Sequence, residues 1–226
     1  RSIPLIRACD DLSSLRNVIS GRDNSLSGTV FFDLAPDLYE RGVRQSALEI
    51  IKSRSKNSDI QIIVRVDSSA TVKYVAGSAD ALYITGEQMQ NYNLLQDAGQ
   101  SLLPVFLERG TRSTIDEWLA AAEYILANGN PNLILSTRGI RTFANDLNEL
   151  TMDIASIPML KTLTHLPVAV DVRSVVNSTG QLQSISSAAV ASDADALFLP
   201  AGELGVNKGI EQNRLKLIAS SIGRDI

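Results

Sequence analysis

The stretch LPVFLERGTRSTIDEWLAAAEYILANGNPNLILST, Leu103–Thr137, predicts a strand, a helix and a second strand in succession. Its two ends, Leu103–Glu108 and Asn132–Thr137, are largely apolar, as parallel strands covered on both faces usually are. Between them, Ser113–Asn128 repeats apolar residues with helical spacing, opens with Ser-Thr followed by acidic residues and stops before Gly129. This alternation is typical of a parallel sheet covered by helices.

The same alternation continues on both sides of this unit. Six more strands are predicted, at Ile3–Ala8, Thr29–Leu34, Ile60–Asp67, Ala81–Thr85, Leu166–Asp171 and Ala196–Pro200. Further helix patterns occupy Tyr39–Ser55, Ala70–Val75, Met89–Asp97, Asp146–Thr162, Leu182–Ser192 and Glu211–Ser220. Eight alternating units predict an α/β fold, a single (β/α)8 TIM barrel over residues 1–226, with a doubly wound open sheet as the alternative.

Composition and charge exclude several classes of function. Of the 226 residues, 44% are hydrophobic and 20% charged, which is the balance of a globular chain with one core. No apolar run is long enough for a membrane span. The net charge is −4 and the basic residues are dispersed, which disfavours a nucleic-acid partner.

The single cysteine, Cys9, precludes an intrachain disulfide and suits a reducing, intracellular compartment. The first residue is Arg1 rather than methionine, which is compatible with a trimmed chain or with a processed precursor. We therefore expect the cytoplasm or an organelle such as a plastid. Cys9 has no evident histidine partner, so an inert thiol is expected.

Four groups of residues resemble the motifs of one enzyme family. They are Pro104–Gly110 (PVFLERG), Ala122–Ile125 followed by Gly129-Asn130, Arg138–Phe143 (RGIRTF), and Thr164–Val168 (THLPV) with Asp171. In this order they resemble the synthases that make 3-deoxy-7-phosphoheptulonate (DAHP), in the short bacterial and archaeal type. A weaker similarity continues from Asp59 to Gly99. The resemblance implies an aldolase-type barrel that condenses phosphoenolpyruvate with an aldose phosphate.

The resemblance also implies a divalent metal site, but the residues that would build it are replaced. The family holds its metal with a cysteine, a histidine, a glutamate and an aspartate, and these positions fall on Ser136, Ser174, Pro200 and Lys208. Serine is a poor neutral ligand, proline offers no side-chain donor and lysine repels a cation. The lysine of the substrate site becomes Glu108, which repels a substrate anion. The resemblance thus implies a pseudoenzyme with no catalytic residue, no metal and no cofactor.

Five arginines remain candidates for binding a phosphate or a carboxylate, since a guanidinium group fits either one. They are Arg138, Arg141 and Arg109, which lie in the shared motifs, and Arg65 and Arg173, which are predicted at strand ends. In the other interpretation, which we favour, Arg138 and Arg141 only brace the barrel mouth by pairing with Glu108, Asp171 or Glu149. Arg65 and Arg173 are then ordinary solvated residues.

The expected function is that of a non-catalytic relative, a structural, assembly or protein-binding component whose partner is another protein or a second copy of the chain. One alternative is a metal-independent lyase or aldolase that uses Lys73, Lys161 or Lys208 as its amine. Another is a sensor that binds a sugar phosphate without turnover. His165, the only histidine, is expected to be buried or to cap an element, and Trp118 is expected to pack or to lie at an interface.

Overall fold

The computed structural model describes residues 5–9, 16, 29–32, 46, 49–52, 60–143, 150–176 and 179–200. In this part of the chain the strands are β1 Leu5–Cys9, β2 Thr29–Phe32, β3 Gln61–Val66, β4 Ala81–Ile84, β5 Val105–Glu108, β6 Leu133–Thr137, β7 Val168–Asp171 and β8 Ala196–Leu199. Each strand pairs in parallel with the next, and β8 pairs with β1. The sheet is therefore a closed barrel. The predicted TIM barrel is confirmed, and the open-sheet alternative is wrong.

The observed strands fall within or beside the predicted ones, and two of them start late for the same reason. Leu103–Glu108 and Leu166–Asp171 were predicted to begin ahead of a proline, whereas β5 and β7 begin just after it. Proline has no N–H to donate to a ladder. Val105 is the first residue of β5 that donates to its neighbour, to the carbonyl of Asn132 at 2.8 Å.

The described helices cover the outside of the barrel. They are α1 Ser69–Val75, α2 Tyr92–Ser101, α3 Ile115–Ala127, α4 Ser156–Leu163 and α5 Thr179–Ala191, with a short 3-10 turn at Gly86–Gln88. Positions 49–52 are helical, as predicted within Tyr39–Ser55, while the rest of that segment and Glu211–Ser220 lie almost wholly outside the described residues. None of the described helices has the length and apolarity that crossing a bilayer requires.

Local sequence signals determine where helix α3 begins and ends. Thr114 and Glu117 form a capping box, in which the Glu117 N–H donates to the Thr114 hydroxyl at 3.2 Å and the Thr114 N–H donates to the Glu117 carboxylate at 2.7 Å. Gly129, with φ of +99°, follows the last turn. Trp118 is buried under this helix and its indole N–H donates to the Leu107 carbonyl at 3.1 Å, so this residue packs in the core.

One sequence prediction about local structure is wrong, and half of another is. Helix α4 starts at Ser156 rather than near Asp146, because Thr151 pairs instead with Ile140 in an antiparallel bridge. His165, expected to be buried or to cap an element, is exposed in the bend that leads into β7, so the burial half of that prediction is wrong. The bridge partner of Thr151 lies outside the predicted helix, and a local pattern does not contain this contact.

The core has two parts. The larger lies between the sheet and the helices. The smaller fills the inside of the barrel and contains the rings of Phe31, Tyr83, Phe106 and Phe198, whose centroids lie 4.7–6.3 Å apart. Edge-to-face and tilted contacts of this kind pack densely, so the interior is a filled core and not a channel. Active sites of such barrels lie at the carboxyl ends of the strands, and a site is therefore expected there.

Candidate functional site at the barrel mouth

Three neighbouring strands bring polar side chains together inside the barrel. The Tyr83 hydroxyl on β4 donates to Glu108 Oε2 on β5 at 2.7 Å and lies 3.2 Å from Ser136 Oγ on β6. The Gly86 N–H donates to Glu108 Oε1 at 3.1 Å. All three side chains are buried. The two replaced positions, Glu108 and Ser136, thus lie side by side, and they are joined by Tyr83.

Arg138 faces the same carboxylate from the loop after β6. Its Nε lies 3.1 Å from Glu108 Oε1, and 32% of its side chain is exposed. This Nε is itself buried and makes no aligned hydrogen bond with any residue that the structure describes. The contact is therefore an ion pair without good hydrogen-bond geometry.

Burial controls the protonation of this group. It raises the pKa of Glu108 above its ordinary value, and the nearby Arg138 cation and the hydrogen bond from Tyr83 oppose that rise. Burial also raises the pKa of Tyr83 well above its ordinary value, and the carboxylates of Glu108 and Asp171 add to the effect. Tyr83 therefore stays a neutral hydrogen-bond donor.

A second ion pair lies at the end of β7. Arg173 Nε and Nη2 lie 2.9 and 2.6 Å from the two carboxylate oxygens of Asp171, and the Arg173 backbone N–H also donates to Oδ1. The guanidinium lies over the rings of Phe31 and Phe198, 4.8 and 5.9 Å from their centroids. Arg173 thus covers the aromatic interior and is not an ordinary solvated residue.

The other candidate arginines lie apart from Glu108. Arg109 is buried, pairs with Asp153 at 2.9 Å and donates from Nε to the Ser113 carbonyl. Arg65 on β3 lies 3.9 Å from the exposed Glu87, and Arg141 is exposed. Among the described contacts, Arg138 pairs with the buried Glu108 and Arg173 with the buried Asp171.

Three of the four replaced metal positions lie within the described residues, and their side chains supply no metal-ligating cluster there. Ser136 is buried beside Tyr83, Ser174 is exposed, and Pro200 directly follows β8. Lys208 and the possible ion-pair partner Glu149 lie outside the described residues. Within the described ranges no group of three or more histidine, cysteine, aspartate or glutamate side chains could hold a metal ion. The donors present there do not fit the divalent ion that the resemblance implies.

The described lysines point to no amine chemistry at the mouth. Lys73 is exposed on α1 and lies 3.4 Å from Asp97. Lys161 on α4 pairs with Asp195, which precedes β8 and so lies at the opposite end of the barrel. Lys73 and Lys161 pair with acids outside the barrel interior, whereas a Schiff-base lysine must reach a substrate carbonyl at the mouth.

Tyr83 is the member of this site that sequence reasoning missed. Within the segment ALYI it is one more bulky residue of a buried strand. The available signal was its place, two residues before Thr85-Gly86 at the carboxyl end of a predicted strand, where inward-facing residues border the mouth.

Comparison with known proteins agrees with the barrel fold. The model of the DAHP synthetase I family matches residues 9–203. The phospho-2-dehydro-3-deoxyheptonate aldolase of Thermotoga maritima is 35% identical over 131 residues, which are 58% of this chain and 38% of that protein. The chain thus matches well under half the length of this curated relative.

Two solved structures share the fold. The crystal structure of phospho-2-dehydro-3-deoxyheptonate aldolase (DAHP synthase) from Thermotoga maritima superposes with a TM-score of 0.83 at 24% identity, covering 96% of this chain and 68% of that one. A truncated form of 3-deoxy-D-arabino-heptulosonate 7-phosphate synthase from the same organism gives 0.83 at 25% identity, with coverages of 99% and 89%. On the family match over residues 9–203, the chain belongs to the DAHP synthetase I family.

Proposed function

We propose that this chain is a non-catalytic member of its family and serves as a structural, assembly or protein-binding component. The observation that carries the proposal is the position of the Tyr83 hydroxyl, which bonds Glu108 and contacts Ser136. A phenol that bridges these two positions fills the space between them. It also engages the hydroxyl of Ser136, which stands where the resemblance expects a metal-ligating cysteine.

The charges at the mouth support the same proposal. A substrate such as phosphoenolpyruvate is an anion, and it would meet the buried carboxylate of Glu108 where the family has a lysine. The Arg138 cation is already compensated by that carboxylate, and Arg173 by Asp171. Replacing attraction with repulsion at close range weakens the binding of an anion.

A binding role is supported by the helical exterior. Met159 and Leu163 lie four residues apart on α4, where they share one helix face, and both are about half exposed. Tyr92 and Leu102, at the two ends of α2, are exposed to a similar degree. The proposed partner is another protein or a second copy of the chain, in the cytoplasm or in an organelle such as a plastid.

A synthase assay tests the proposal. The purified chain is incubated with phosphoenolpyruvate and a series of aldose phosphates, with Mn²⁺, Zn²⁺ or a chelator, and loss of phosphoenolpyruvate is followed. The Thermotoga maritima enzyme serves as the positive control. We expect no consumption by this chain under any condition. Consumption that a chelator abolishes and added metal restores would refute the proposal.

A further inference from the structure

Arg138 is a cation that solvent can reach and whose hydrogen bonding is incomplete. Its side chain is 32% exposed, yet its buried Nε makes no aligned hydrogen bond to the described residues. A guanidinium in this state can donate N–H groups to an oxyanion that enters from the mouth.

The Glu108 carboxylate blocks the approach of such an anion to the Arg138 guanidinium. Its carboxylate is 3% exposed and lies 3.1 Å from Arg138 Nε. Two donors fix it there, the Tyr83 hydroxyl on Oε2 and the Gly86 N–H on Oε1. Turning the carboxylate away from Arg138 would break these bonds inside the barrel, which is costly for a buried charged group.

The ion pair at the end of β7, the other one described at the buried acids, does not offset this arrangement. Asp171 on β7 accepts hydrogen bonds from Nε and Nη2 of Arg173. The charge of this second arginine is therefore compensated and adds no net positive charge to the mouth. The group of Arg138, Arg173, Glu108 and Asp171 contains two cations and two carboxylates. Loss of the Glu108 charge alone would leave the group with a net positive charge next to an exposed guanidinium.

We propose that the Glu108 carboxylate occupies the anion-binding position beside the Arg138 guanidinium. This autoinhibitory contact prevents small dianions from binding at the barrel mouth. The internal carboxylate takes the place that a sulfate or phosphate group would otherwise take beside the guanidinium. Removing this carboxylate converts the mouth into a dianion site. The inference concerns ligand access and holds whether or not the chain binds a protein partner.

Sulfate binding to the full chain, measured by calorimetry at constant ionic strength and pH 8, tests this inference. The variants are Glu108→Gln, Glu108→Ala and each of these combined with Arg138→Gln. Glu123→Gln removes the same charge from the exposed face of α3 and serves as the matched control. We expect both Glu108 variants to bind sulfate about tenfold more tightly than the wild type and the control. The gain should disappear in the double variants.

Three results would overturn the inference. The first is that folded Glu108 variants, checked by circular dichroism, bind sulfate no better than Glu123→Gln. The second is that the gain persists without Arg138. The third needs no change at Glu108: if Arg138→Gln alone lowers the sulfate affinity of the otherwise wild-type chain, Arg138 is already open to anions.

Discussion

Tyr83 and Glu108 depend on one another inside the barrel. The tyrosine ring is held against Phe31 and Phe198, with centroids 4.7 and 5.4 Å away, and this packing fixes the direction of its hydroxyl. The hydroxyl then supplies one of the bonds that a buried carboxylate needs. The packing of the Tyr83 ring therefore also determines where the Glu108 carboxylate is held.

The stability of the chain should carry a pH dependence that comes from Glu108. Burial raises the pKa of this carboxyl in the folded chain above the ordinary value of 4.5, which applies to the unfolded chain. At pH values between the unfolded-state and the folded-state pKa of Glu108, the folded chain binds the carboxyl proton more strongly than the unfolded chain does. The free energy of unfolding that Glu108 contributes is thus complete below pH 4.5 and is lost as pH rises through the folded pKa.

Urea unfolding of the wild type and Glu108→Gln over a pH series measures this effect. Relative to the variant, the wild type should become progressively less stable as pH rises above 4.5. Glu123→Gln is the control for a glutamate at the surface. A wild type that gains stability over Glu108→Gln with rising pH would contradict the raised pKa.

Sequence reasoning identified part of this residue pattern. Glu108, Ser136 and Arg138 stood out because they lie in motifs with a known resemblance, and two of them replace expected residues. The bonds of Tyr83 to Glu108 and Ser136 were not predictable. They depend on how β4, β5 and β6 are aligned, and this alignment exists only once the barrel has closed.

At the scale of elements, two aspartates tie neighbouring strands together in the same way. Asp80 and Asp195 each lie in the sequence Ala-Asp-Ala-Leu, just before β4 and just before β8. Asp80 Oδ2 accepts the N–H of Ile62 in β3 at 2.7 Å, and Asp195 Oδ2 accepts the N–H of Val168 in β7 at 2.8 Å. The backbone N–H of each aspartate also donates to the carbonyl of the same partner residue. The two strand pairs are therefore locked by equivalent contacts.

Removing either aspartate should cost similar stability. Asp80→Ala and Asp195→Ala each leave a strand N–H without its charged acceptor, and we expect each to lower the free energy of unfolding by about 1–3 kcal/mol. Lys161→Met removes the lysine that pairs with Asp195 but keeps its packing, and it should cost less than about 1 kcal/mol. Urea denaturation compares the three. A larger loss in Lys161→Met than in Asp195→Ala would show that the ion pair, rather than the strand contact, is what matters.

The helices show which elements a sequence can predict. Helix α3 was predicted to within two residues because its capping box and its terminal glycine are local signals. The start of α4 was misplaced because Thr151 takes part in a bridge to Ile140, a residue outside the predicted helix. Local chemistry defines the first helix, and tertiary contacts override the pattern of the second.

At the scale of the whole molecule, the barrel could be predicted and its mouth only in part, since the pairing of Arg138 with Glu108 was one of the two interpretations and that of Arg173 with Asp171 was not. Eight apolar strands separated by helix patterns leave few ways to bury both faces of a parallel sheet, and closure of β8 on β1 is one of them. The ion pairs of Glu108 and Asp171 depend on loops and side-chain directions at the strand ends. Such details follow from the closed fold rather than from any single segment.

The central claim is that the barrel mouth no longer forms a metal site. Its most direct test is the metal content of the full chain after equilibrium dialysis against Mn²⁺ or Zn²⁺, measured by mass spectrometry beside the Thermotoga maritima relative. We expect this chain to retain no stoichiometric metal under conditions in which the relative retains its metal. One tightly held divalent ion per chain, lost on replacement of the residues at the mouth, would contradict it.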